Sequence, residues 1–177
     1  NASPLEQDPT LLSYYHRAGL RMLSVNHTRN NGFGDSGTDK PEWNGLSPAG
    51  RALVEQATGL GIVIDQSHAA DSVFDDLIKL LPVPFVLSHT SAKAIYDHPR
   101  NIDDERLRQL AAKGGVIQVN AFGGYLLDTK ARAERKAARE AARAERARRK
   151  AEERAAEEQL RLSREAQRAF QEESHAA

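Results

Sequence analysis

Short apolar runs alternate with helical patterns over residues 1–127, and this alternation limits the fold more than any other feature of the sequence. The runs are rich in β-branched residues and are bounded by turn residues, as buried parallel strands usually are. They are Leu20–Val25, Gly61–Asp65, Pro84–Ser88 and Gly115–Asn120. Strand–helix–strand alternation implies an α/β fold with a parallel sheet and right-handed crossovers. Four strands suit half of an eight-stranded α/β barrel or a small doubly wound sheet, and the pattern does not choose between them.

Helical patterns fill the gaps between these runs. One helix is predicted to begin at Ser47 and Pro48, because serine is a good N-cap and proline is tolerated at the first helical position. It should end near Gly59. Two more helices are predicted over about residues 70–81 and 103–113, where apolar residues recur on one helical face.

Composition changes sharply near residue 128, which divides the chain into two predicted domains. Residues 1–127 carry 11 basic and 14 acidic residues and should form the partial barrel with its site, whereas residues 128–177 carry 14 basic and 11 acidic residues. The second region is rich in Ala, Arg and Glu, so we predict one long, solvated helix that is inserted between barrel elements. Its basic stretch Arg143–Lys150 could bind an acidic partner, but interleaved glutamates favour a solvated face.

Overall composition excludes several classes of function. The chain has 25 basic and 25 acidic residues, so its balanced charge gives no electrostatic case for binding nucleic acid or an anionic membrane. It contains no cysteine, so any bound metal must be held by His, Asp or Glu. No apolar run approaches the roughly 20 residues of a transmembrane segment.

Three histidines follow or end consecutive predicted strands. His27, His68 and His89 occupy equivalent places after the first three apolar runs, and residues at the carboxyl ends of barrel strands line the active site. The pattern favours a metal or catalytic site no more strongly than three structural histidines at loop starts. Arg100 lies in the loop after His89 and could hold a substrate carboxylate. From the residues alone, a surface arginine that pairs with Asp97 or Asp103 is favoured.

Several segments resemble, in order, the motifs of the membrane dipeptidases, also called renal dipeptidases. These segments are Tyr14–His27, Asn30–Ser36, Gly45–Gly50, Ile64–His68, Ser88–Ala92, His98–Asn101 and Gly114–Asn120. The resemblance covers about residues 1–127. It implies a zinc metallopeptidase with a TIM-like (β/α)8 barrel of the metal-dependent hydrolase type, in which two bridged zinc ions activate a water molecule that hydrolyses dipeptides.

The resemblance also implies roles for individual residues. His68 and His89 would be ligands of one zinc ion. His27 would be catalytic, because it would face the substrate and stabilise the developing oxyanion. Arg100 would hold the terminal carboxylate of the dipeptide, and Tyr125 would line the pocket.

Other residues that the resemblance requires have no counterpart in this sequence. The His-x-Asp pair and the bridging glutamate of the family should precede Asn1, and its catalytic aspartate should follow residue 177. We therefore expect the chain to be an internal segment of a longer polypeptide and to be inactive by itself. Asp65 is expected to support the site rather than to bind metal.

Two interpretations of function stay open on the sequence. The first is a dipeptidase, for which the resemblance implies a dipeptide substrate, export to the periplasm or the membrane surface, and a homodimer as one possible assembly. A cytoplasmic location also stays open. The second is a non-catalytic relative in which the barrel serves as a binding or scaffold module through the charged helix. The presence of the His-x-Asp pair, the glutamate and the late aspartate in the full polypeptide would distinguish the two.

Overall fold

The structure, a computed structural model, describes the backbone of residues 1–175 and their side chains except at positions 129, 132, 156 and 159–175. The chain divides after Asp128 into two units. The first unit holds the sheet and four of the α-helices, and the second is a single long helix.

The centre of the first unit is a four-stranded parallel sheet, which confirms the predicted α/β fold. Its strands are β1 (Met22–Ser24), β2 (Val63–Asp65), β3 (Val86–Thr90) and β4 (Val116–Val119). They lie side by side in chain order, β1-β2-β3-β4. A doubly wound sheet reverses its strand order at a switch point, and the sheet described in residues 1–175 has no such reversal. Of the two arrangements left open by the sequence, the doubly wound sheet is therefore not the one found.

Helices α1 (Leu11–Arg17), α2 (Pro48–Gly59), α3 (Asp71–Leu80) and α4 (Asp104–Ala112) connect or precede the strands. The predicted cap of α2 is confirmed, because the Ser47 side chain accepts a hydrogen bond from the Gly50 N–H at 3.0 Å. Asp103 caps α4 in the same way, through the Arg106 N–H at 2.9 Å. These local signals fix where the helices begin.

The two faces of the sheet differ in burial. Leu23, Ile64 and Leu87 lie on the buried face and share one core with apolar residues of the helices, among them Val54, Val73, Phe74 and Leu77. On the opposite face Met22, Val63 and Val116 are 50%, 41% and 54% exposed. Because side chains alternate between the faces of a strand, these apolar residues form an open apolar patch on the second face, whereas Asp65 on the same face is buried.

The second unit is α5 (Thr129–His175). Successive ion pairs run along it at i,i+4 spacing: Lys136–Glu140 at 3.8 Å, Arg148–Glu152 at 3.3 Å and Arg149–Glu153 at 3.3 Å. Each such pair contributes about 0.2–0.5 kcal/mol to an isolated helix. The insertion of this helix between barrel elements stays a prediction. Among the helices of residues 1–175, none combines the length and the apolar character that crossing a membrane requires.

Candidate functional site

The three predicted histidines meet at the carboxyl edge of the sheet. His27 follows β1, His68 follows β2 and His89 lies within β3. The His27 and His68 rings are stacked with centroids 4.1 Å apart, and the His68 and His89 rings meet edge to face at 4.9 Å. His27 is exposed at the outer side of this cluster, whereas His68 is buried. The structure thus brings together the three side chains that the sequence singled out.

The backbone of His68 has an unusual conformation that neighbouring residues hold in place. Its φ is 79°, a left-handed value that is uncommon outside glycine and that clusters at functional sites. The His68 carbonyl accepts a hydrogen bond from the Gly37 N–H at 2.8 Å. Ser36 Oγ donates to the His27 carbonyl at 2.7 Å and lies 3.4 Å from the His68 carbonyl. A Cβ at Gly37 would stand 2.8 Å from the Pro99 carbonyl oxygen, so this close approach requires glycine.

A buried carboxylate shapes the loop that carries Ser36. Asp35 is fully buried and accepts hydrogen bonds from the backbone N–H groups of Glu42, Trp43 and Gly45, at 2.9, 3.0 and 3.1 Å. These bonds close the loop between β1 and α2 on itself. Sequence reasoning assigned Asp35 no role beyond its place in a motif.

A second buried carboxylate, Asp65, lies beneath the histidines. It accepts hydrogen bonds from Ser24 Oγ, Ser67 N and Ser88 N, each at 3.0 Å, and from Ser88 Oγ at 2.5 Å. Burial raises the pKa of Asp65, but the hydrogen bonds from Ser88 and Ser67 outweigh burial and hold the pKa below its usual value. Ser88 Oγ also lies 2.8 Å from His89 Nδ1. The expected supporting role of Asp65 is consistent with these contacts, whereas the part played by Ser88 was missed.

Two of the three histidines, His68 and His89, have lowered pKa values and are neutral near pH 7. The pKa of His68 is lowered to about 3, mainly by burial and then by the charges of Arg100, His27 and His89, which Asp65 opposes. Burial and the Arg100 charge also lower the pKa of His89. A neutral imidazole keeps a lone pair for a metal ion.

Arg100 is buried beside the histidines, so the interpretation of a surface arginine is wrong. Its side chain reaches the His89 carbonyl at 3.4 Å, and its guanidinium carbon lies 5.5 Å from the centre of the Tyr125 ring. Asp103 pairs with Arg106 instead. Among the residues whose side chains are described, no carboxylate forms an ion pair with Arg100, and its Nε is buried without a hydrogen-bond partner. A buried cation without an anion is suited to binding an anionic group.

Tyr125 is held over Arg100 by residues of the loop between β3 and α4, which also carries Arg100. Asn101 Nδ2 donates to the Tyr125 carbonyl at 2.7 Å, and the His98 ring lies 4.7 Å from the Tyr125 ring. His98 Nδ1 accepts the Arg100 backbone N–H at 3.0 Å. His98, which the sequence analysis named only as part of a motif, therefore supports the two predicted substrate-binding residues.

The donor set fits a metal only in part. His68 Nδ1 is buried without a hydrogen-bond partner among the described residues, as a nitrogen reserved for a metal would be. Within the described part of the chain, however, no group of three or more His, Cys, Asp or Glu side chains is arranged to hold an ion. Because zinc normally takes four ligands, His68 and His89 can provide only part of a zinc site.

Comparison with known proteins finds relatives that are named dipeptidases. An uncharacterized dipeptidase of Schizosaccharomyces pombe is 34% identical over 119 residues, which cover 67% of this chain and 29% of the relative. A dipeptidase of Claviceps purpurea is 33% identical over 117 residues, covering 66% of this chain and 28% of the relative. The chain thus spans less than a third of the length of these curated relatives.

Solved structures agree with these matches. The probable dipeptidase PvdM from Pseudomonas aeruginosa aligns with a TM-score of 0.68 and 34% identity, over 71% of this chain and 33% of that protein. A metallo peptidase from Rhodobacter sphaeroides, liganded with a phosphinate mimic of the dipeptide L-Ala-D-Ala, aligns with a TM-score of 0.60 and 31% identity, over 65% of this chain and 34% of that protein. The family model for membrane dipeptidase (peptidase family M19) matches residues 1–166. This chain therefore belongs to the membrane dipeptidase family.

Proposed function

We propose that this chain supplies part of the barrel and part of the active site of a zinc-dependent dipeptidase. The observation that carries the proposal is the convergence of His27, His68 and His89 beside Arg100, a buried cation without a carboxylate partner among the described side chains. Neutral imidazoles attract metal ions, and an unpaired guanidinium attracts a carboxylate. Family membership joins the two features in one chemistry, the cleavage of a small peptide with a free carboxyl end.

The proposed fold of the complete protein is a (β/α)8 barrel. Two features of the sheet support it: the strands follow one another in chain order, as barrel strands do, and the face that carries Met22, Val63 and Val116 is open. Further strands from outside this chain would pair with the free edges of β1 and β4 and cover this face. The same strands would bring the missing metal ligands.

The proposed metal ligands from this chain are His68 and His89, both for one of two zinc ions. Their lowered pKa values support this role, as does the unpartnered His68 Nδ1. The chemistry that bound zinc supplies is polarisation of a peptide carbonyl and activation of a water molecule.

The remaining residues would bind and orient the substrate. Arg100 offers a planar set of N–H donors that matches both oxygens of a terminal carboxylate. Tyr125 covers the guanidinium and would form one wall of the pocket. His27 is exposed at the edge of the histidine cluster, so its ring can reach a bound substrate and donate a hydrogen bond to the developing oxyanion.

A non-catalytic scaffold that acts through the charged helix is not favoured. The relatives are named dipeptidases. A scaffold has no need of a buried, neutral His68 beside an arginine that has no carboxylate partner among the described side chains. Export and a homodimer stay predictions based on the family.

The test is dipeptide hydrolysis by the longer polypeptide that contains this chain. We expect a chelator to abolish turnover and added zinc to restore it. Arg100→Met should lower kcat/KM for a dipeptide roughly 100-fold, equivalent to about 3 kcal/mol from two charge-assisted hydrogen bonds, while the metal content stays unchanged. The matched control is Arg108→Met, because the Arg108 side chain is 72% exposed, and this variant should keep full activity.

Two results would contradict the proposal. Turnover that persists in chelator would rule out the role of zinc. An equal loss for Arg100→Met on a dipeptide and on its C-terminal amide would rule out the carboxylate clamp, because the amide has no charge for Arg100 to bind.

A further inference from the structure

The Ser88 hydroxyl stands between a carboxylate and one of the clustered histidines. Its oxygen lies 2.5 Å from Asp65 Oδ2 and 2.8 Å from His89 Nδ1. A serine hydroxyl has a single hydrogen to donate and two lone pairs to accept with. The Ser67 hydroxyl is a third neighbour, but at 3.4 Å it is too distant to compete with the other two. Ser88 can therefore donate to Asp65 or to His89 and must accept from the other.

The surroundings of Asp65 decide which neighbour receives the hydrogen. Both of its oxygens face donors: Oδ1 receives the N–H groups of Ser67 and Ser88, and Oδ2 receives the Ser24 hydroxyl. A carboxylate that is surrounded by donors acts as an acceptor only. The Ser88 hydrogen therefore points at Asp65, and a lone pair of Ser88 Oγ points at His89.

This arrangement selects one form of the His89 ring. If Nδ1 carried no hydrogen, its lone pair would face the lone pair of Ser88 Oγ across 2.8 Å, so the hydrogen must lie on Nδ1. A neutral imidazole has one N–H, which leaves Nε2 with the free lone pair. The His89 backbone N–H donates to Ser67 Oγ at 3.0 Å, which holds the residue in position beside Ser88.

We propose that Asp65 and Ser88 are positioning residues that hold His89 in the tautomer with its hydrogen on Nδ1, so that Nε2 is the donor atom for a metal ion. The metal part of this statement rests on the proposed function, whereas the tautomer does not. The relay is specific to His89, because His68 Nδ1 has no hydrogen-bond partner among the described residues. A hydrogen bond to the second ring nitrogen of a ligand commonly fixes both its tautomer and its orientation.

The direct test is nitrogen NMR of the histidine rings in the metal-free protein. We expect His89 to show a protonated Nδ1 and an unprotonated Nε2. Asp65→Asn should reverse the positions of these hydrogens on the ring. The two backbone N–H donors would keep the side-chain oxygen of the asparagine on their side, so its NH2 group would face Ser88 Oγ. Ser88 would then donate to His89 Nδ1, and the ring hydrogen would move to Nε2.

Two further variants separate the relay from a general structural effect. Ser24→Ala also removes a hydrogen bond from Asp65, but Ser24 does not contact His89, so the tautomer should stay unchanged. Ser88→Thr keeps the hydroxyl and should keep the tautomer, whereas Ser88→Ala should lose it. Unshifted backbone amide signals elsewhere in each variant establish that the fold is intact.

The zinc affinity of the longer polypeptide gives a second measurement. Asp65→Asn should weaken zinc binding by about 10–100-fold, as is common when a partner of a metal-bound histidine is lost, and Ser24→Ala should not. A wild-type ring with its hydrogen on Nε2, or a folded Asp65→Asn variant with an unchanged tautomer, would overturn the relay. The expected tautomers without any zinc binding would support the relay and refute the proposed metal function.

Discussion

Replacing Asp35 by alanine should strongly destabilise the first unit. The carboxylate is fully buried and accepts three backbone N–H bonds of 2.9, 3.0 and 3.1 Å from Glu42, Trp43 and Gly45. Alanine offers no acceptor in its place. A buried N–H group without an acceptor has neither its hydrogen bond nor water to replace it, so the full cost of desolvation remains.

The size of the effect follows from the three bonds. A hydrogen bond to a charged group contributes about 1.5–3 kcal/mol. The N–H groups of Glu42 and Trp43 belong to exposed residues that water can reach, whereas Gly45 is buried. We therefore expect Asp35→Ala to lower the free energy of unfolding by about 3–5 kcal/mol, a large part of the roughly 5–15 kcal/mol of a typical domain.

The assay is urea unfolding followed by the fluorescence of Trp43, the single tryptophan of the chain. With a urea dependence of about 1–3 kcal/mol per molar, the midpoint should fall by roughly 2 M. Asp39→Ala is the matched control: Asp39 also accepts two backbone N–H bonds in this loop, at 3.1 and 2.9 Å, but it is exposed. Water can replace its bonds, so Asp39→Ala should leave the midpoint close to that of the wild type.

Equal midpoints for the two variants would refute this reasoning, because burial is the main difference between two carboxylates that both accept backbone N–H bonds in one loop. A loss of less than about 1 kcal/mol for Asp35→Ala would refute it as well. Asp35→Asn should fall between wild type and Asp35→Ala, since the amide keeps one oxygen for two of the donors.

Two further predictions concern the helices. Gly50→Ala should lower the free energy of unfolding in urea by more than about 2 kcal/mol, because its Cβ would stand 1.8 Å from the Phe33 carbonyl oxygen. Gly59→Ala in the same helix is the control: its Cβ would meet nothing within 4 Å, so this variant should gain up to about 1 kcal/mol of stability. Similar effects at both positions would contradict the close packing at Gly50. Burial raises the pKa of Asp103, but hydrogen bonds and charge from Arg106 outweigh burial and hold the pKa below its usual value. The ion pair therefore stabilises the fold fully at pH values above the unfolded-state pKa of about 3.9. This contribution is lost as the pH falls through the folded-state pKa. Asp103→Asn keeps an N-cap but removes the charge, and should cost up to about 1 kcal/mol at pH 7 and nothing near pH 2; a cost that is independent of pH would contradict the ion pair.

Local signals in the sequence predicted where the helices and strands lie, whereas the pairing of strands with their neighbours determined the lengths of the strands. The cap at Ser47 and the stop near Gly59 depend on neighbouring residues, and α2 has these bounds. The first strand was predicted as Leu20–Val25 but spans only Met22–Ser24. The ends of a strand depend on the register with its neighbour, which a local pattern does not contain.

The site was predictable where it depends on chain direction and less so where it depends on burial. His27, His68 and His89 could be grouped because parallel strands end at one edge of a sheet. The environment of Arg100 could not be deduced, since a loop arginine is exposed unless other segments cover it. Here Tyr125, from beyond β4, covers the guanidinium.

The sequence by itself determined the strand–helix alternation, hence the parallel sheet, and the histidines at its carboxyl edge, because these follow from periodicity and from the direction of the chain. Only the tertiary structure decided which groups contact one another there. Besides the nearby Ser67 N–H, the donors to Asp65 come from Ser24 and Ser88, 41 and 23 residues away in the chain. A hydrogen bond requires its two atoms to lie within about 3 Å, and only the packing of three strands side by side brings such distant residues so close.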